Sequence, residues 1–434
     1  MTKFREAPRG AVASFMKKLT IPKPILVIED SRSLSYLLKT KLENSFKCEV
    51  HIAASYKEAK ALLKEHRQNY HLAISDLNLP DAPEGEIIDL LNRANVKSII
   101  ITGSFGEELR EMMTDKGVID YILKDSINSY SYTVELAGRL YRNYEIKILI
   151  VDDSTSFRAL MTHMLEIRNF QVSVASNGNE ALQVLKDNPD IRLLITDYRM
   201  PDMDGFMLTV EARKTYERSQ LAIIGMSAQG NNDLGVQFIK NGANDFLLKP
   251  FSHEELICRI DQNVDILDHI DTISDLANRD YLTNLFNRRY FFTEGPQRLN
   301  SAIESAKKTA IAMLDIDHFK NINDSYGHDV GDEVLIYFSS LLLKHFSNHL
   351  VARVGGEEFV VFMTNLGNSD VTLKLEEFRA AMELAVVVCG EHSISITASI
   401  GYNCTTNNSI DTMLKTADEN LYIAKTTGRN RIEG

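Results

Sequence analysis

Across the first 250 residues, short continuous apolar runs alternate with amphipathic stretches. The runs "ILVI" (25–28), "LAIS" (72–75), "ILIV" (148–151) and "LLIT" (193–196) have strand length, with helical periodicity between them. A run with no polar alternation is a strand covered on both faces. Such strands separated by amphipathic helices predict a parallel sheet in a doubly wound α/β fold.

The pattern occurs twice. "KPILVIEDSRSLSYLLKTKL" from Lys23 is echoed by "IKILIVDDSTSFRALMTHML" from Ile146, "HLAISDLNLP" (71–80) by "RLLITDYRMP" (192–201), and "VIDYILKDS" (118–126) by "ANDFLLKPF" (243–251). Asp30 to Asp153, Asp76 to Asp197 and Lys124 to Lys249 are offset by 123, 121 and 125 residues. A period near 120 is too long for a solenoid and suits a duplicated domain, at 23–142 and 146–268. Few residues separate the copies, so the last helix of the first is expected to run almost directly into the first strand of the second.

After Phe251 the pattern changes. Leu256, Ile260, Val264, Leu267, Ile270, Ile273 and Ala277 recur at spacings of three and four, which predicts one long helix over 252–279. Ser252 is its expected N-cap, with Glu254 and Glu255 in the first turn. The stripe fits either a helix packed on its own domain or a two-stranded stalk. From Asp280 the sequence matches neither repeat, so a third domain is expected over 280–434.

Composition narrows the field. The net charge of −12 argues against broad binding to DNA, RNA or anionic membrane. No apolar run approaches a membrane span and no secretory signal is evident, which points to a cytoplasmic protein. Cys48, Cys258, Cys389 and Cys404 form no CxxC pair and read as buried thiols in a reducing compartment.

In a doubly wound sheet the loops after the strand C-termini converge on one crevice. That convergence gathers Asp152, Asp153, Asp197, Ser227 and Lys249 in the second repeat, and Glu29, Asp30, Asp76, Thr102 and Lys124 in the first. Crowded carboxylates call for a cation, and an oxygen-only cluster suits Mg²⁺. The cation and the lysine would neutralise a phosphoryl group, a hydroxyl would hydrogen-bond it, and one carboxylate could act as nucleophile. Both repeats resemble the receiver (flavodoxin-like) domains of bacterial response regulators. The resemblance implies Asp197 and Asp76 as phosphoacceptors and a sensor kinase or phosphotransfer protein as donor. It also implies Mg²⁺ held by Asp152, Asp153 and Asp197, and by Glu29, Asp30 and Asp76. Ser227, Lys249, Thr102 and Lys124 match the phosphoryl contacts, and Phe246 and Tyr121 the switch aromatic. The first repeat departs from the pattern in having Asp125 where the family has proline, and "LPDAPEG" in place of "MPDMDG".

In the third domain, "AIAMLDIDHFKNINDSYGHDVGD" (310–332) begins as a strand, presents Asp315 and Asp317 and passes into a helix. "ARVGGEEFVVFM" (352–363) reads as a hairpin with acids at its tip, where glycines let a ligand approach the backbone. "ADENLYIAKTTGRNRIEG" (417–434) places Lys425 and Arg429 at i,i+4 spacing, two cations suited to a polyphosphate. Together these segments, with "DYLTNLFNRR" (280–289) and "SIG" (399–401), resemble the GGDEF family of diguanylate cyclases in its "GGEEF" form. Two receivers followed by this domain is the arrangement of PleD-type response regulators.

The resemblance implies an α+β, nucleotide-cyclase-like domain that joins two GTP molecules into cyclic di-GMP, releases two pyrophosphates and works as a homodimer. It assigns metal binding to Asp315, the Ile316 carbonyl, Glu357 and Glu358, with Glu358 also a candidate base. Guanine contacts fall to Asn323 and Asp332, a further substrate contact to His328, and phosphate neutralisation to Lys320, Lys425 and Arg429. The family's RxxD product-inhibition motif is absent, because 346–349 reads Phe-Ser-Asn-His. Two other readings compete: a silent GGDEF module that binds nucleotide or a partner, and a receiver pair that relays phosphate to another protein.

Overall fold

In the computed structural model, residues 19–66, 69–103, 106, 112–113, 116–124, 127–228, 232–404 and 409–434 are described. Asp125 lies outside them. The chain divides into two compact units, with the boundary between Leu267 and Asp268.

In the first unit, β1 (Leu19–Thr20) pairs with β3 (Phe46–Lys47). The first repeat is a parallel sheet of β2 (Ile25–Ile28), β4 (Val50–Ala53), β5 (Leu72–Asp76), β6 (Ser98–Thr102) and β7 (Asp120–Leu123), in the order β4-β2-β5-β6-β7. The second repeats it with β8 (Lys147–Val151), β9 (Gln171–Ala175), β10 (Ile191–Asp197), β11 (Ala222–Ser227) and β12 (Asp245–Leu248), in the order β9-β8-β10-β11-β12. Every residue of β2, β5, β6 and β11 is buried, as continuous apolar runs require. The edge strands β4, β7, β9 and β12 keep partly exposed positions. Helices cover both faces, so each repeat has two apolar clusters, one per face. Ser55, Ser154, Asn177 and Asp204 cap their helices by accepting from backbone N–H groups.

A single 3₁₀ turn, Asn143–Glu145, joins the repeats. Arg168 is 4% exposed; it donates to Asp120 (2.8 Å) and to the Ile119 carbonyl in the first repeat. Arg139 pairs with Asp261 (3.0 Å) and Asp265 (2.7 Å) of the second. Burial raises the Asp261 carboxyl despite its two guanidinium neighbours.

The helix His253–Asn278 is capped by Ser252, which accepts from the Glu255 N–H. Its first half buries Leu256, Ile257, Ile260, Val264 and Leu267 against the second repeat. Further along, Ile273 and Leu276 are exposed, as is Ile266. The two readings of this stripe therefore divide it: the first half packs on its own domain, and the second leaves apolar residues uncovered.

The second unit carries a mixed six-stranded sheet, β13-β15-β16-β14-β19-β20. Its strands are β13 (Phe286–Asn287), β14 (Thr309–Ile316), β15 (Leu350–Arg353), β16 (Glu358–Thr364), β19 (Ala398–Asn403) and β20 (Ile432–Glu433). A separate hairpin pairs β17 (Val386–Cys389) with β18 (His392–Ser395). At Gly401 a Cβ would lie 2.0 Å from the Leu421 amide, so only glycine lets the helix Ile410–Thr426 lie on β19.

Two expectations need correction. Cys258 is exposed, not buried, because it falls on the outer face of its helix. Arg429 does not share a helix face with Lys425, since that helix stops at Thr426 and Arg429 adopts φ 60°. Among the described residues no helix is long and apolar enough to cross a membrane.

Candidate functional site

Each parallel sheet delivers its acids to the C-terminal ends of its central strands. In the second repeat, Lys249 at the end of β12 donates to Asp152 (2.8 Å) and Asp197 (2.7 Å), which are 2% and 9% exposed. Its backbone N–H donates to the Ser227 carbonyl, and its ammonium sits 3.8 Å over the Phe157 ring. The Lys249–Pro250 bond is cis. Asp153 is exposed at the rim and Phe246 is half-buried against Phe238. At Gly205 a Cβ would lie 2.1 Å from the Asp197 carbonyl, so the glycine of "MPDMDG" lets the next helix start directly beneath that aspartate.

The first repeat reproduces the core. Lys124 donates to Glu29 (2.9 Å) and Asp76 (2.7 Å), and its N–H donates to the Thr102 carbonyl. Thr102 is buried and Tyr121 half-buried. Burial raises the Glu29 carboxyl and the Asp76 charge adds to that, with Lys124 opposing. Among the described residues, Glu29, Asp30 and Asp76 are the one trio whose ligand oxygens all lie within 4.8 Å of one another. The divergent repeat therefore has the tighter acid set.

In the second unit the sheet gathers three segments. Asp315 lies next to the last residue of β14, paired in register with Glu358 of β16 and Ser399 of β19. β15 and β16 form the expected hairpin, with Gly355, Gly356 and Glu357 in its turn. Lys425 donates to Asp315 (2.7 Å). The Asp315 carboxyl, 5% exposed, is pushed up to about 6 by burial, with the charges of Glu357 and Glu358 adding and Lys425 opposing. Three carboxylates gathered in this way form an oxygen set whose repulsion a divalent cation would relieve.

Asn323 lies on the helix Phe319–Tyr326; a break at Gly327 then starts the helix His328–Phe346, which carries His328 and Asp332. Lys320, His328 and Asp332 are exposed and Asn323 is half-buried. At Gly331 a Cβ would meet Asn323 Oδ1 at 1.9 Å, so this glycine seats the asparagine beside Asp332. At Gly355 a Cβ would meet Glu358 Oε2 at 2.5 Å, so the glutamate folds over the turn.

Sequence reasoning missed Gly331, and it missed Arg353. Arg353 donates twice to the Gly356 carbonyl and pairs with Asp280 (2.8 Å), bracing the turn from behind. Burial works against the Asp280 carboxylate, but Arg353 and Thr283 outweigh it and hold its carboxyl below the usual range. An arginine two residues before "GG" and the aspartate of "DYLTNLFNRR" were the available signals.

Of the RxxD positions, Phe346 is fully buried among Phe338 and Phe378, and burial lowers the half-buried His349. The counterpart of the motif's arginine is a core residue.

These features define a class: two parallel-sheet domains with a lysine-bridged acidic pocket, followed by a mixed-sheet domain with acids against a glycine turn. The family model for the response regulator receiver domain matches residues 25–129 and 148–261, and that for the diguanylate cyclase GGDEF domain matches 277–431. The chain is a response regulator with two receivers and a GGDEF domain, and it belongs to these families. It is 30% identical to Response regulator PleD of Caulobacter vibrioides over 309 residues, 66% of this chain and 65% of that one. It thus spans just under two thirds of that relative's length. Diguanylate cyclase A of Treponema denticola is 36% identical over 165 residues, 36% of this chain and 44% of that one. A solved response regulator/GGDEF domain protein superposes with a TM-score of 0.52 at 38% identity, covering 57% of this chain and 99% of that one.

Proposed function

We propose that the chain is a phosphorylation-controlled diguanylate cyclase that condenses two GTP into cyclic di-GMP. The observation that carries this reading is the convergence of Asp315, Glu357, Glu358 and Lys425 beside a glycine turn, in a domain similar to diguanylate cyclases.

Asn323 and Asp332 hold the guanine edge, where a carboxylate suits N1–H and N2–H donors. His328 contacts the substrate. Lys320, Lys425 and Arg429 neutralise the phosphates, Lys425 turning from Asp315 to do so. Asp315, the Ile316 carbonyl, Glu357 and Glu358 would hold Mg²⁺, which when bound supplies charge neutralisation at the phosphates. Glu358 takes the proton from the 3′-hydroxyl of one GTP; that oxygen bonds to the α-phosphorus of the other GTP, and the α–β bridge breaks to release pyrophosphate. The same transfer in the opposite sense closes the ring. Each domain binds one GTP, so the active form is a homodimer with its site split between copies. The exposed Ile266, Ile273 and Leu276 suit a helical contact between the two chains.

Asp197 and Asp76 accept phosphoryl groups from a kinase or phosphotransfer protein. Mg²⁺ would be held by Asp152, Asp153 and Asp197, and by Glu29, Asp30 and Asp76. Ser227 with Lys249, and Thr102 with Lys124, hold the phosphoryl oxygens.

Glu357→Gln tests the cyclase site, because it removes a ligand charge and keeps the volume. The expected result is loss of cyclic di-GMP formation by about three orders of magnitude with unchanged thermal unfolding. Near wild-type turnover overturns the assignment.

A further inference from the structure

Gly428, Arg429 and Asn430 have φ of 132°, 60° and 47°, three successive residues on the side of the map that L side chains avoid. Glycine adopts it freely and asparagine tolerates it, but arginine does so at a cost and only where its surroundings hold it. The "GRN" segment is therefore a constrained turn, and the structure shows what constrains it.

On one side, the Arg429 N–H donates to the Ala424 carbonyl, which ties the turn to the helix end. On the other, the Asn430 N–H donates to Asp317 Oδ2 at 3.0 Å. The Asn430 side chain is gripped from the helix Asn368–Glu383: Arg379 donates to its Oδ1 (2.8 Å), and its Nδ2 donates to Glu383 (2.9 Å). Beyond it, the Ile400 N–H donates to the Arg431 carbonyl as β20 joins β19.

Asp317 is the inner anchor. It is 4% exposed, and its oxygens also accept from Ser399 Oγ (2.6 Å) and Thr397 Oγ1 (2.7 Å). A carboxylate that buried stays only because all its bonds are made. It lies two residues beyond Asp315, which pairs with Lys425 of the same C-terminal arm. The arm is thus tethered at Lys425 and at Asn430, with the exposed Arg429 between the tethers.

We propose that Asp317 is a positioning residue: through Asn430, and with Arg379 and Glu383 as outer supports, it holds Arg429 in the left-handed turn that presents its guanidinium to the substrate's triphosphate. The inference rests on the cyclase reading above. A fixed fork keeps a bidentate phosphate contact that a mobile one loses, so the clamp governs substrate affinity more than the chemical step.

The test uses the full-length protein with GTP and Mg²⁺, in wild type, Asp317→Asn, Asp317→Ala, Arg429→Ala and the Asp317→Ala/Arg429→Ala double variant. Asp317→Ala is expected to raise KM for GTP roughly tenfold with a much smaller change in kcat, Asp317→Asn less. The double variant should be no worse than Arg429→Ala, because both changes remove one interaction. Amide exchange at Asn430 should accelerate in Asp317→Ala, a readout that needs no activity. Lower thermal stability with an unmoved KM, or additive KM effects in the double variant, overturns the proposal. Wild-type protein that forms no cyclic di-GMP sinks the cyclase reading instead, a different result from an active wild type sharing its KM with Asp317→Ala. Should Asp317→Ala not fold, Arg379→Ala loosens the same turn from outside and must shift KM in the same direction.

Discussion

The two receivers share one pocket and differ around it. In both, a lysine bridges two buried acids at nearly the same distances: 2.9 and 2.7 Å for Lys124, 2.8 and 2.7 Å for Lys249. The rims diverge. Beside Lys249 an apolar groove is lined by Phe157, Leu160, Met161, Met164, Pro250 and Phe251. The corresponding positions of the first receiver are Leu34, Leu37, Leu38, Lys41, Asp125 and Ser126, of which the last two lie outside the described residues. Lys41 turns instead to Ser131 (3.2 Å). Chemistry fixes the acids and the lysine, because a phosphoryl group needs the same neutralisation in either sheet. Nothing in that chemistry fixes the rim. The comparison teaches that divergence from the family pattern in the first receiver touches what surrounds the pocket and spares its charges.

The strongest way to break this comparison is to remove the acceptors. If both pockets are competent, Asp76→Asn and Asp197→Asn each reduce stimulation of cyclase rate by a small phosphoryl donor, and the double variant loses it entirely. Coupling of this kind is typically about 5- to 150-fold. A double variant stimulated as strongly as wild type removes both sites from control.

The junction offers a second test. Arg168→Ala takes the guanidinium from the half-buried Asp120 and leaves the buried Asp261 with Arg139 alone, which costs about 1–3 kcal/mol. The wild-type receiver pair is expected to unfold in one calorimetric transition and this variant in two, with the less stable transition first.

Acid should separate the receivers as well. His71, where the second receiver has Arg192, is held near 4 because burial disfavours its imidazolium, even though it bonds the Ala137 carbonyl. The folded state therefore binds fewer protons than the unfolded state between pH 6.5 and 4. Stability is full above 6.5 and falls as pH drops through that window, by about 3 kcal/mol. In His71→Phe that loss should be absent from the denaturation midpoint measured against pH.

The smallest expected effect is product feedback. With Phe346 in the core and His349 kept neutral, added cyclic di-GMP should change the initial rate little and give weak calorimetric heats. Phe346→Arg cannot serve as the gain-of-function control, because it would bury a charge. Strong inhibition mapped to 346–349 would overturn this expectation.

Much was legible in the sequence because each signal was local or repeated. Runs such as "ILIV" and "LLIT" specify doubly covered strands by their lack of alternation. Ser252 announces a helix start, and the recurrence of acid, acid and lysine in order marks both pockets. Only the tertiary structure decided the rest, where the partners are far apart in the chain. Arg429 at i,i+4 from Lys425 looked helical, yet the helix ends between them, because Asp317, 113 residues from Asn430, captures the turn. Glu29, Asp30 and Asp76 come from the ends of two separate strands, and only the packed sheet brings their oxygens within 4.8 Å of one another. Gly331 was unremarked until Asn323 was found against it. The order of apolar and polar residues determines which elements form and on which face they bury. Which side chains then meet across strands and turns depends on how those elements pack.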